Sequence, residues 1–142
     1  MSEADETLEA IRRRKRQELQ QELDGETSTG NETAPSEPIY IDGPDHFEEV
    51  TSTYDVVLTD FYADWCGPCK MLEPIVEDLA AETDAAMAKV DVDQQQALAQ
   101  QYRVQGVPTM VLFAQGDVAE QIVGVREKHA LRDLIERHQS NT

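Results

Sequence analysis

The chain has 142 residues, room for one domain of ordinary size plus a tail, and 39% of them are hydrophobic, enough for a single core. Its 29 acidic against 12 basic side chains leave a formal charge of −17, which repels nucleic-acid phosphates and anionic membrane surfaces. No run approaches the ~20 apolar residues that span a bilayer, and the start Met1-Ser2-Glu3-Ala4-Asp5-Glu6 lacks the basic-then-apolar order of a secretion signal, so a cytoplasmic protein is expected.

Residues 1–23 are rich in helix formers around the run Arg12-Arg13-Arg14-Lys15-Arg16. Glu9 with Arg13, and Arg14 with Glu18, stand four apart and support a helix modestly. Leu8, Ile11, Leu19 and Leu23 make too sparse a stripe to bury, so a marginal, exposed helix is predicted. The basic run offers a contact for nucleic acid or an acidic partner. Acids outnumber cations across residues 1–38, however, and a solvated helix face is the preferred reading. Residues 24–38 hold no large apolar side chain and read as a flexible linker. The predicted division is thus a charged extension (1–23), a linker (24–38) and a folded domain (39–142).

From Ile39 the pattern becomes regular. Residues 39–41 predict a short strand, 45–51 a short helix behind Pro44, and the apolar run 56–62 a buried strand. Residues 66–81 carry helical spacing through Met71, Leu72, Ile75, Val76, Leu79 and Ala80, with a kink expected at Pro74. Residues 86–92 predict a strand and 94–102 a glutamine-rich helix. Strands at 109–114 and 118–123 flank a turn at Gln115-Gly116-Asp117, and 128–138 closes as an amphipathic helix with Leu131, Leu134 and Ile135 inward. This order implies an α/β fold, a central mixed sheet flanked by helices on both faces.

Cys66 and Cys69 are the only cysteines, and they sit where a strand turns into a helix. Two thiols three positions apart can close a small disulfide ring and reopen it. The upstream sulfur faces unpaired backbone N–H groups and the helix dipole, which favour its thiolate. A structural zinc site is the first alternative, but His46, His129 and His138 do not stand at ligand spacing from one another. A permanent disulfide is the second, and so short a loop removes little chain entropy. Dithiol–disulfide exchange is therefore preferred. Asp60 interrupts an apolar strand, where burial raises a carboxyl pKa, and this marks it as a functional acid.

From about Ile39 onward the chain resembles the thioredoxin family. The resemblance is carried by Trp65-Cys66-Gly67-Pro68-Cys69-Lys70, by Gly106-Val107-Pro108-Thr109 as a cis-proline loop, by Asp60 with Lys89 as its partner, by Pro74 and by Gly124. Tyr62 departs from the pattern, standing where tryptophan is frequent, and residues 1–38 lie outside it. The resemblance implies the thioredoxin fold and a set of roles. Cys66 would be an exposed nucleophile, Cys69 would resolve the mixed disulfide, and the two would form the redox disulfide. Asp60 would accept the Cys69 proton beside Lys89, while Trp65, Gly67, Pro68, Val107, Pro108 and Gly124 would border the substrate groove.

The implied activity is reduction of disulfides in client proteins, with a thioredoxin reductase restoring the dithiol. No metal, flavin or nucleotide site is visible and no cofactor is expected, so electrons must arrive through another protein. A reduced binding module held by its groove is the alternative, and insulin reduction with and without Cys66→Ser separates the two. With only Lys15, Lys70, Lys89 and Lys128 as lysines, the acidic surface reads as adaptation to concentrated salt in preference to ordinary acidity.

Overall fold

The structure, a computed structural model, describes residues 33–139. The helix expected within 1–23 and the linker up to residue 32 lie outside the described residues. Of the remaining linker stretch, Ala34 packs against the domain's core.

Nine elements follow in chain order among the described residues: β1 (Ile39–Tyr40), α1 (Pro44–Thr53), β2 (Val56–Tyr62), α2 (Gly67–Glu82), β3 (Ala86–Asp91), α3 (Gln96–Gln101), β4 (Thr109–Ala114), β5 (Asp117–Val123) and α4 (Lys128–His138). The strands form one sheet in the order β1-β3-β2-β4-β5. β3 pairs in parallel with β1 and β2, while β4 runs antiparallel to β2 and β5. The mixed sheet with helices on both faces matches the expected class.

Side chains alternate across β2 and sort the core into two layers. Val56 and Leu58 join Leu72, Val76 and Leu79 of α2 and Leu131 and Ile135 of α4. Val57 and Phe61 join Phe47 and Val50 of α1 and Leu98 of α3 on the opposite face. With both faces covered, β2 is a near-continuous apolar strand, as its sequence required. Asp60 falls by the same alternation on the α2 face. That single placement puts a carboxyl beneath the helix that carries the cysteines.

Several boundaries move for local reasons. α1 begins at Pro44, whose fixed φ suits a first helical turn, and runs on to Thr53. α3 is shorter than expected because the Asp91 carboxylate accepts from the amides of Asp93 (2.8 Å) and Gln94 (3.3 Å), holding these residues in a turn. At the β4–β5 hairpin Gln115 and Gly116 both take positive φ, 57° and 85°, so the loop is a two-residue reversal that twists with its strands. α2 passes through Pro74 without breaking.

Candidate active site

Parallel β2 and β3 end side by side, with Tyr62 opposite Asp91 and the amide of Val92 donating to Tyr62 O at 2.9 Å. The segments leaving these two strands therefore meet at one edge of the sheet, where open α/β sheets gather their chemistry. The first of them, residues 63–66, carries the sulfur pair.

Cys66 is the N-cap of α2 and not its first helical residue, a one-residue difference from expectation. Its Sγ accepts a hydrogen bond from the Cys69 amide at 3.1 Å, so the sulfur takes the place usually held by a capping oxygen. Gly67 and Pro68 form the first turn, and proline's missing N–H leaves Cys69 as the donor within reach. Cys66 and Cys69 are joined as a disulfide, with Cα atoms 5.3 Å apart. An amide donating to a sulfur at a helix start favours its ionised form once the bond is reduced.

The expected exposure of Cys66 is corrected. The residue is only 4% exposed, because its sulfur is bonded to Cys69 and the pair packs with Ala63 beneath Tyr62, Val92 and Val107. Cys69 is buried as expected. Trp65, by contrast, is 70% exposed, and its Nε1 donates to Asp93 Oδ2 at 2.9 Å. Lys70 Nζ donates to Asp64 O at 2.7 Å and closes the turn from the helix side.

Asp60 is wholly buried, and neither carboxyl oxygen has a hydrogen-bond partner among the described residues. Lys89 lies directly opposite it in the β2–β3 register, with Nζ 3.5 Å from Oδ2, an ion-pair distance too long for a strong hydrogen bond. Burial pushes the Asp60 pKa up to about 6; Lys89 opposes the rise and Glu73 adds to it. Lys89 is itself only 3% exposed, with its ammonium 4.4 Å from the Tyr62 ring centroid.

The Val107–Pro108 peptide bond is cis, as the resemblance implied. Val107 packs on the sulfur cluster and makes no hydrogen bond among the described residues, so its backbone edge is free. Gly124, in the left-handed region at φ 97°, donates its amide to Pro108 O at 2.9 Å. Every residue expected at the site therefore lies at the sulfur edge or on strands leading to it. Asp93 and the ring of Tyr62 were missed. For Asp93 a signal existed: it follows the carboxyl end of a strand predicted parallel to the cysteine-bearing one.

No group of acids, histidines and cysteines among the described residues is arranged to hold a metal ion. No described helix is long and apolar enough to cross a membrane.

The family model described as Thioredoxin matches residues 38–137. A thioredoxin of Chlamydia trachomatis is 48% identical over 85 residues, covering 59% of this chain and 83% of that protein. The bifunctional thioredoxin reductase/thioredoxin of Mycobacterium leprae is 45% identical over 91 residues, 62% of this chain but 20% of that protein. A mutant thioredoxin from Halobacterium salinarum superposes with a TM-score of 0.75 at 56% identity, covering 79% of this chain and 99% of that one. With its matching fold and a Cys66–Cys69 pair joined at a helix start, the chain belongs to the thioredoxin family, whose members are thiol–disulfide oxidoreductases that reduce protein disulfides through such a dithiol.

Proposed function

We propose that residues 39–142 are the catalytic domain, with Cys66 as nucleophile and Cys69 as resolving thiol. The Cys66 thiolate attacks one sulfur of a client disulfide, forming a mixed disulfide and releasing the client's other sulfur as a thiolate. Asp60 then takes the proton of Cys69. The resulting thiolate attacks Cys66 Sγ, the Cys66–Cys69 bond closes, and the client leaves with both sulfurs reduced. The observation that carries this reading is the closed sulfur pair at the start of α2, on the sheet face that also bears a buried, poorly satisfied acid.

Lys89 keeps Asp60 ionisable in the dry interior, where an isolated carboxylate would be far costlier. Trp65, Gly67, Pro68, Val107, Pro108 and Gly124 border the substrate groove. The free backbone edge at Val107 supports pairing with an extended client segment, which reads main chain in preference to sequence. A thioredoxin reductase returns the dithiol, a partnership supported by the name of the Mycobacterium leprae relative, in which both are joined. The domain thereby acts as an electron carrier in the cytoplasm, whose reducing conditions suit a dithiol in turnover. The −17 charge and the likeness to a Halobacterium protein support a salt-adapted source, and the charge argues against nucleic acid as partner.

Insulin reduction with dithiothreitol as electron donor tests the reading. Wild type accelerates precipitation of the insulin B chain, and Cys66→Ser abolishes the acceleration. Cys69→Ser accumulates a mixed disulfide that can be captured and its clients identified. Equal activity in wild type and Cys66→Ser would refute the assignment.

A further inference from the structure

Tyr40, Lys89 and Asp60 stand abreast across β1, β3 and β2, so their side chains share the face covered by α2. Tyr62 is two residues beyond Asp60 and shares that face. An ammonium carries three donors. Beyond the 3.5 Å approach to Asp60, the Lys89 ammonium meets ring faces: Tyr62 with its centroid at 4.4 Å and Tyr40 at 5.8 Å. Tyr62 also packs on the cluster of Ala63, Cys66 and Cys69, so one ring borders both the sulfur pair and the buried charge pair.

We propose that the ring of Tyr62 clamps the Lys89 ammonium beside Asp60, making Tyr62 a positioning residue for that acid. The inference rests on the reading of Asp60 as proton acceptor. Burial and the nearby Asp91 push the Tyr62 phenol up to about 12, so the phenol stays neutral and the attraction comes from the ring face. A phenylalanine would serve equally well. An aliphatic side chain would not, because it offers the cation no negative π-face.

The sense of the effect follows from the charges around Asp60. Lys89 from β3 lowers its pKa and Glu73 from α2 raises it. β4 presents the uncharged Met110 opposite it, and Tyr40 of β1 flanks Lys89 on the far side. If Lys89 is free to swing away, its attraction weakens while that of the other groups is unchanged. Asp60 then holds its proton to higher pH, and less carboxylate is available near neutrality.

Carbon-13 NMR titration of the Asp60 carboxyl in the oxidised full chain tests this directly. Tyr62→Leu is expected to raise the Asp60 midpoint by about one pH unit, in line with the usual strength of cation–ring contacts. Tyr62→Phe should titrate like wild type, and Tyr40→Leu should shift in the same direction by less. Should Tyr62→Leu fail to fold, Tyr62→Met, whose flexible side chain fills irregular gaps without a ring, replaces it in the comparison. Leucine (or methionine) and phenylalanine variants that titrate alike overturn the proposal. The pH profile of mixed-disulfide collapse, measured alongside, tests the underlying reading separately. A raised midpoint with a collapse profile that does not follow it supports the clamp and rejects Asp60 as the acceptor.

Discussion

With no hydrogen-bond donor on either oxygen, Asp60 depends on Lys89 alone, and its titration couples the chemistry to folding. The folded pKa of about 6 lies above the ordinary 3.8, so protons bind the folded state more tightly. Stability from this group is full below about pH 4 and is lost as pH rises through 6, a difference on the order of 3 kcal/mol. Asp60→Asn is therefore expected to be more stable than wild type at pH 8, by roughly 1–3 kcal/mol because Lys89 loses its partner. Urea denaturation should show the gain fading as pH falls from about 6 to about 4, and a gain independent of pH would contradict the assigned burial cost. In turnover the same substitution should slow collapse of the mixed disulfide by roughly a hundredfold while the first attack stays near wild type. Stopped-flow measurement of both steps reads this. In wild type, collapse should slow as pH falls below 6, where Asp60 gains its proton.

Two segments leaving neighbouring parallel strands form the rim of the sulfur site. Residues 63–66 follow β2 and residues 92–95 follow β3, and the Trp65–Asp93 hydrogen bond ties them together. Asp93→Ala should release the indole. Insulin reduction is then expected to fall about two- to tenfold, the usual effect of one hydrogen bond, while reaction with a small aromatic disulfide is unchanged. Equal losses with both substrates would mean that Trp65 acts on the sulfurs and not on the client. Most elements were legible because both signals they need are local: the run 56–62 is too apolar for a surface strand, and the spacing of residues 71–80 is helical. Pairing between elements was legible only as a class. The Trp65–Asp93 bond, the shielding of Cys66 and the Tyr62–Lys89 contact join residues across the sheet, and periodicity along the chain carries no information about such distances.

At the scale of the whole molecule, charge dominates. Among the described residues, two cations bind one seam: Lys128 bridges Asp78 (3.4 Å) and Glu82 (3.0 Å), and Arg132 also meets Glu82, joining α2 to α4. Dissolved salt should stabilise the fold by screening the repulsion of the −17 charge. The melting temperature is expected to climb as KCl rises from 0.1 to 3 M, read by circular dichroism, and a flat or falling curve would refute salt adaptation.

The bond from the Gly124 amide to Pro108 has a mechanical corollary. β5 is the outermost strand on its side, yet its final turn supports the ledge overhanging the sulfurs. A side chain at 124 is strained at φ 97°, so Gly124→Ala should tip that ledge, weakening capture of large clients more than exchange with small ones. One main-chain hydrogen bond thus ties the border of the sheet to the backbone beside the reactive pair, so a defect at the border is felt at the mouth of the cleft.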